Sequence, residues 1–336
     1  MIGLHIVQVL IKLRKFDMSY LFLSTGVFVI SYYTFRVAFL FFDIFMKPGK
    51  QLIDYGAGKG DYAVVTGATD GIGAALSQVL AENKFNLLLI SRSADKLKEK
   101  KDQFSKLGVT VKTLPVDFAK ATDADWATIK KEVNSLPVSI LINCVGISHD
   151  FPKPFEEEDE ERCQMIMDLN VMALTKMTRI VIPQLKEKKN GLILNMGSFA
   201  SLIPSPFLAM YSGSKSFVKS FSLAIGAELK PFGILVQHIN TYYVVSKMSK
   251  VRNPSFTTPM PKEYAVNLLS HIGSGCGTIE PYTSVPYFSH ALMNFVVENC
   301  LPRKFWLDFN HNMLSGIRKR AIAKKARENA AKIKSS

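Results

Sequence analysis

The 336-residue sequence predicts an α/β protein built on a doubly wound parallel sheet, with an apolar membrane-anchor helix placed ahead of it. Three observations carry that expectation. Short β-branched runs alternate with longer amphipathic stretches from residue 61 onward; the first run opens directly into a glycine-rich turn; and residues 18–35 form an apolar stretch without one charged side chain. Continuous apolar strands separated by helices are the pattern of a parallel sheet covered on both faces, and right-handed crossovers wind such a sheet in two directions.

The anchor comes first along the chain. Met18–Phe35 reads MSYLFLSTGVFVISYYTF, and eighteen residues at ~1.5 Å each give about 27 Å, slightly short of a ~30 Å hydrocarbon core. Apolar character resumes after Arg36 through Val37–Phe42, which suits a tilted span or a snorkelling Arg36. Lys12, Arg14 and Lys15 precede the stretch, and Tyr20, Tyr32 and Tyr33 suit its interfaces. A cleaved signal peptide has a shorter apolar region and a small-x-small site, which is not evident after Phe35. The chain divides on this reading into an anchor with flanks (1–50), a catalytic domain (51–280), and an apolar segment with a basic tail (281–336). Residues 47–60, rich in Gly and Lys, connect the first two. Residues 285–301 are apolar and aromatic but broken by His290 and Glu298, and fit an interfacial helix, a substrate lid or ordinary core.

Within the body, strand-like runs fall at Tyr62–Thr66, Asn86–Ser91, Val109–Pro115, Ser139–Val145, Leu192–Met196 and Ile234–Ile239. Helical stretches between them include Ile72–Glu82, Ala94–Leu107, Trp126–Leu136 and Gln164–Lys186.

Charge is concentrated at the ends. Residues 1–50 carry six Lys/Arg against two Asp/Glu, and residues 316–336 carry eight against one, so only three of the net fourteen positive charges belong to the remainder. A near-neutral body gives no support to a nucleic-acid partner. The tail reads equally as a solvated basic helix or as a contact for anionic headgroups. Cys144, Cys163, Cys276 and Cys300 show no CxxC pairing and no histidine at metal-ligand spacing, which points to a reducing compartment and away from a metal site.

The first strand runs into Thr66-Gly67-Ala68-Thr69-Asp70-Gly71-Ile72-Gly73. A strand–turn–helix with glycines at this spacing lets a dinucleotide pyrophosphate approach the backbone at a helix N-terminus, where unpaired N–H groups favour an anion. Val65, Gly67, Asp70, Gly71, Ile72 and Gly73 are its candidate contacts. Ribose selectivity is read after the second strand, where an acid would bind the free 2′-hydroxyl of NAD. Here Ser91-Arg92-Ser93 offers a guanidinium suited to a 2′-phosphate, so NADPH/NADP+ is the expected cofactor. Asp117 after the third strand is placed to accept from the adenine amino group, and Asn143 after the fourth to lie near the ribose, although each is also a routine turn former.

Gly197-Ser198 ends the fifth strand and Tyr211-Ser212-Gly213-Ser214-Lys215 opens the next helix. The i, i+4 spacing puts Tyr211 and Lys215 on one helical face. A phenol ordinarily titrates near pKa ~10, and a neighbouring ammonium is expected to lower that value, so that Tyr211 donates a proton to a developing alkoxide while Ser198 hydrogen-bonds the carbonyl. Lys215 is also placed to hold the nicotinamide ribose hydroxyls.

TGATDGIG, NCVG, the strand-end serine and YSGSK together resemble the short-chain dehydrogenase/reductase family across residues 60–250. The resemblance implies a Rossmann-like fold and gives Asn170, in Asp168-Leu169-Asn170-Val171, a place in a water-linked proton relay. Gly191–Val218, the stretch Ser246–Lys250, the N-terminal anchor and the basic tail are more narrowly similar to the very-long-chain 3-oxoacyl-CoA reductases. That similarity implies reduction of a 3-oxoacyl-CoA to the 3-hydroxyacyl-CoA during fatty-acid elongation. It further implies an endoplasmic reticulum membrane location with the catalytic domain facing the cytosol, and other elongation enzymes as neighbours. The 17β-hydroxysteroid dehydrogenases of types 3 and 12 share the anchor and the catalytic motif, so the motif alone leaves acyl-CoA and steroid open as the lipid substrate. A catalytically silent membrane scaffold is the non-enzymatic alternative, opposed by the intact Ser198, Tyr211, Lys215 and Asn170. Two departures stand out. The nicotinamide-side turn lacks the usual Pro-Gly and reads Thr241-Tyr242-Tyr243-Val244-Val245-Ser246, with Val244 and Ser246 at the positions expected to meet the nicotinamide amide; and Cys144-Val145 replaces a common Asn-Ala.

Overall fold

The computed structural model describes residues 18–335, so Lys12, Arg14 and Lys15 lie outside the described residues. Seven parallel strands form one sheet: β1 (Tyr62–Thr66), β2 (Asn86–Ser91), β3 (Val111–Pro115), β4 (Val138–Asn143), β5 (Gly191–Met196), β6 (Ile234–Ile239) and β7 (Thr283–Ser284). Their order is β3-β2-β1-β4-β5-β6-β7, so the winding reverses between β1 and β4 and opens a crevice at their carboxyl ends. The bounds of β1, β2 and β6 are those expected from sequence. Strand β4 stops two residues early because the N–H groups of Cys144 and Val145 leave the ladder and donate to Thr66 Oγ1, at 3.0 and 3.2 Å. The two-residue β7 was not foreseen; it joins through His238 and Ile239 and carries the sheet past residue 280.

Pleat alternation divides the core. Val65, Leu87, Leu89, Ile140 and Ile142 face one layer, made by α2 (Gly71–Glu82), α3 (Ala94–Ser105) and α8 (Pro261–Ser270). Val64, Leu88, Ile90, Leu141 and Ile193 face the other, made by α4 (Asp123–Asn134), α6 (Ala173–Lys188) and α7 (Ala209–Leu229). Helix α5 (Glu160–Met167) runs without a break through a widened π turn, Asp168–Met172, into α6.

Helix α1 (Met18–Phe45) is long and apolar enough to cross a membrane. Its most apolar eighteen-residue window has a mean hydropathy of 1.6 and is only 22% buried, unlike the core helix of a globular protein. The second half docks on α9 (Phe288–Asn299), and the two helices run antiparallel. Phe45 and Phe41 meet Phe288 at ring separations of 5.2 and 5.6 Å. Arg36 lies over the Phe295 ring at 5.8 Å, and Tyr33 Oη donates to Asn299 O at 3.3 Å. Leu40 and Ile44 share a buried cluster with Phe199, Cys276, Val285, Ala291 and Phe295. Of the three roles open to residues 285–301, the structure therefore makes most of that segment packed helix. The basic tail lies within α10 (Arg303–Ser335), which crosses the body where Arg318 Nη2 contacts both carboxylate oxygens of Glu157 at 2.8 Å.

Candidate active site

The carboxyl edge of the sheet assembles two half-sites. On the first, β1 hands the chain to α2 through the glycine turn. Gly67 has φ +67°, and a Cβ there would lie 3.0 Å from the Val145 backbone, so the position excludes larger residues both by conformation and by space. A Cβ on Gly73 would fall 2.4 Å from Gly67 O, which fixes how closely α2 packs on the turn. Asp70 caps α2, its Oδ1 accepting from Gly71 N at 2.8 Å, while its Oδ2 pairs with Lys247 at 2.9 Å. Lys247 belongs to the loop after β6, so this ion pair closes the loop over the turn. Ser246 of the same loop sits 3.5 Å from where a Gly71 Cβ would stand.

The remaining expected cofactor positions separate into cleft and core. Arg92 is exposed where β2 ends, next to Ser93, whose Oγ caps α3 by accepting from Lys96 N at 3.4 Å. Asp117 is exposed after β3 and accepts from Ala119 N at 3.2 Å. Ile72 is half-buried at the start of α2, and Val244 is buried in the loop after β6. Two of the expected positions have their side chains in the core. Val65 has no exposed surface, because the central residues of β1 are covered by helices on both faces. Asn143 points with Leu141 toward α6 and donates to Thr178 Oγ1 at 3.0 Å and Asn195 Oδ1 at 2.8 Å, so its side chain ties strands to helix inside the core. Sequence reading also passed over Thr66, which holds the turn after β4, and Thr69, whose Oγ1 lies 2.8 Å from Ser91 Oγ.

The second half-site gathers Ser198, Tyr211, Lys215 and Asn170, as expected. Ser198 leaves β5 and caps the short turn Phe199–Ser201, its Oγ accepting from Ala200 N at 3.2 Å. Its hydroxyl faces the Tyr211 phenol and acts to lower that phenol's pKa. Lys215 follows one helical turn later with its Nζ 5.9 Å from the Tyr211 ring centroid, buried and donating to Met196 O at 2.8 Å. Asn170 lies in the π turn. It accepts from Ile147 N at 2.8 Å and donates to Ile147 O at 3.0 Å and to Ser214 Oγ at 2.9 Å, and Ser214 Oγ in turn donates to Tyr211 O at 2.7 Å. Gly146 keeps these groups together: a Cβ there would stand 2.9 Å from Asn170 Oδ1 and 3.8 Å from Lys215 Nζ.

Electrostatics in this pocket differ from the sequence expectation. Burial pushes the Tyr211 phenol above its ordinary range; the Ser198 hydrogen bond works against that shift and Tyr243 adds to it. The Lys215 ammonium, one turn away, is turned to Met196 O. The same burial brings Lys215 down to about 8, with nearby Cys144 pulling the other way. A phenol that stays protonated at neutral pH is a proton donor by default, which suits the reductive direction.

Two further residues were not marked by any spacing motif. His149 Nε2 accepts from Tyr211 N at 3.3 Å, one of the N–H groups left unpaired in the first turn of α7. Its Nδ1 hydrogen-bonds Glu158, which also accepts from Lys153 Nζ at 3.1 Å. Burial works to raise the Glu158 carboxyl, but the hydrogen bonds from His149 and Lys153 prevail and hold it below the ordinary range.

Residues 61–255 match the short chain dehydrogenase family. The chain is 40% identical over 320 residues to a very-long-chain 3-oxoacyl-CoA reductase of Aspergillus oryzae, covering 94% of this chain and 92% of that protein. It is 41% identical over 319 residues to the Kluyveromyces lactis protein of the same name, covering 92% of each. Among solved structures, a 3-ketoacyl-(acyl-carrier-protein) reductase from Brucella melitensis complexed with NADH superposes with a TM-score of 0.60 at 22% identity, covering 69% of this chain and 98% of that one, a likeness of fold.

Replacing His149 with Phe removes the acceptor that steadies the Tyr211 backbone. Steady-state assays of the purified protein are expected to show kcat reduced by about tenfold with KM little changed, whereas Gln, which retains an acceptor, keeps most of the rate.

Proposed function

This chain belongs to the short chain dehydrogenase family, and from that premise we propose that it reduces the 3-oxo group of a long- or very-long-chain acyl-CoA to the 3-hydroxyacyl-CoA with NADPH. The chemistry rests on the buried Tyr211 phenol, facing Ser198 with Lys215 one turn behind it. The choice of acyl-CoA over a 17-ketosteroid rests on relatives at 40–41% identity that carry the very-long-chain 3-oxoacyl-CoA reductase name.

The residues fit a dinucleotide. The close approach at Gly67 and the start of α2 offer backbone N–H groups and a helix dipole to a pyrophosphate. Asp117 would face the adenine, Arg92 the 2′-phosphate, Val244 and Ser246 the nicotinamide amide, and Lys215 the nicotinamide ribose. When bound, NADPH would supply the hydride for the 3-carbon. Ser198 donates a hydrogen bond to the 3-oxo oxygen and steadies the negative charge that grows there. Tyr211 releases its proton to that oxygen. An alkoxide is far more basic than a phenolate, so the transfer is downhill even from a phenol raised by burial. Lys215 then stabilises the phenolate that remains, and Asn170 links this pair toward solvent through water.

The protein acts at the endoplasmic reticulum membrane with α1 as its anchor and the body on the cytosolic side, among the other enzymes of fatty-acid elongation. The four unpaired cysteines support that orientation. The test uses the full chain purified in detergent. NADPH is oxidised on addition of a long 3-oxoacyl-CoA and not of a 17-ketosteroid; the reverse preference sinks the substrate assignment, and turnover of neither marks a scaffold.

Two further outcomes follow from named groups. Arg92→Ala raises KM for NADPH by about tenfold or more and alters NADH use little, since only the former loses a charge-assisted contact; equal losses with both cofactors would remove Arg92 from the phosphate. The charged form of Lys215 is lost as pH rises through about 8, so kcat/KM falls on the alkaline side near that value, and Lys215→Arg moves the limb to higher pH.

A further inference from the structure

Among the described residues, α1 first meets the body at Tyr33, fifteen residues after Met18. Fifteen residues at ~1.5 Å each reach about 22 Å, some 8 Å less than a hydrocarbon core of ~30 Å. The charged residues Lys15 and Asp17 immediately before Met18 mark where the apolar run begins. The far boundary of the hydrocarbon therefore falls about five residues into the docked half, near Val37, and the headgroup layer extends to about Phe42. That level is not bare helix. Tyr33 contacts Asn299 at the end of α9, and four residues later α10 begins.

The surface at this elbow is apolar and exposed. Leu301, Phe305 and Phe309 are 43%, 46% and 52% exposed, and Phe305, Trp306 and Phe309 form a ring cluster with centroids 5.3 to 6.5 Å apart. Arg303 and Lys304 are exposed beside them, Lys304 pairing with Asp308 at 2.6 Å. On α1 the outward Phe39 and Phe42 also remain uncovered by protein. Arg36, by contrast, is turned inward and buried between the Tyr32 hydroxyl, 3.1 Å away, and the Phe295 ring, which shields it at this depth. Aromatic residues with adjacent cations are the composition of a membrane–water interface.

We infer that the α9–α10 elbow is a membrane-seating surface: Leu301, Phe305 and Phe309 lie at the edge of the hydrocarbon with Arg303 and Lys304 among anionic headgroups, so the catalytic body rests on the bilayer instead of standing off it on a stalk. This rests on α1 being the anchor. The occupant is a lipid leaflet, chosen because the shortfall in α1 brings the elbow to that depth whatever else binds there.

The test uses the full chain carrying Trp126→Phe, which leaves Trp306 as its sole tryptophan, reconstituted in phosphatidylcholine/phosphatidylserine vesicles. Brominated lipids are expected to quench Trp306 at least about twofold more strongly when the bromines are near the headgroup than when they are at the bilayer centre. Phe305→Ser with Phe309→Ser weakens that quenching while α1 keeps the protein resistant to carbonate extraction. Trp306 untouched by lipid quenchers and open to aqueous iodide, in protein that still resists carbonate, overturns the seating surface and leaves the anchor standing. Release by carbonate overturns the anchor and this inference with it.

Discussion

The arrangement of the site turns on one constraint, the burial of the Lys215 ammonium where β5 ends. A cation removed from water needs strong partners, and desolvation is what brings this amine down to about 8. The backbone beyond β5 is organised to leave one acceptor for it. Gly197 N and Phe199 N donate to Ile239 O and Thr241 O of the neighbouring chain, at 2.8 and 3.0 Å, while Met196 O turns to Lys215 Nζ. Gly197 itself must lack a side chain, since a Cβ would meet the His238 ring at 2.0 Å. Held this way, Lys215 fixes the face that α7 presents, and the same face brings Tyr211 to Ser198. Gly146 and Asn170 then fill the space on the other side.

A precise edge requires a stiff sheet, and the polar network inside the core supplies it. Asn143 reaches Thr178 and Asn195, Asn195 donates to Ser222 Oγ at 2.9 Å, and Ser222 donates to Val218 O at 2.6 Å. These links connect β4, β5, α6 and α7 directly, and buried hydrogen bonds of this kind favour one geometry where apolar packing alone tolerates several. Thr66 performs the corresponding task between β1 and β4, one hydroxyl accepting two N–H groups and donating to Ile142 O at 3.3 Å. Ser198 therefore follows a cross-braced strand end, and α7, which carries Tyr211 and Lys215, is tied to the same network through Val218 and Ser222.

This division explains what the sequence revealed and what it concealed. Strands β1, β2 and β6 were legible to the residue because apolar runs between turn signals are a local pattern. The end of β4 was not, because Thr66, some eighty residues earlier, decides it. Tyr211, Lys215 and Ser198 were legible as spacing and position. The side-chain direction of Asn143 was not legible, because a strand-end side chain belongs to the cleft or the core according to pleat parity, and here it shares the parity of Leu141. The direction of the Tyr211 shift was not legible for a related reason: helical spacing brings an ammonium near, but burial, the largest cause, appears only in three dimensions. His149 and Glu158 meet across a loop, where no periodicity announces a pair.

The apolar N-terminal helix belongs to the same physical system. Phe199, the residue after Ser198, is buried in the cluster that receives Leu40 and Ile44 of α1. Its ring lies 5.1 Å from that of Tyr242, and Tyr242 packs in turn against His290 of α9 at 5.9 Å. Burial takes His290 down to about 4, so the ring is neutral at cellular pH, and its Nε2 lies 3.1 Å from Thr257 O in the loop that runs back to Ser246. An aromatic column, buried at Phe199 and His290 and half-buried at Tyr242, thus joins the docked half of α1 to both walls of the cleft. Pulling α1 from the body would expose Phe199 and Phe295 and loosen the turn that aims Ser198. The docked half of α1 is for this reason part of the packing behind Ser198, through Phe199.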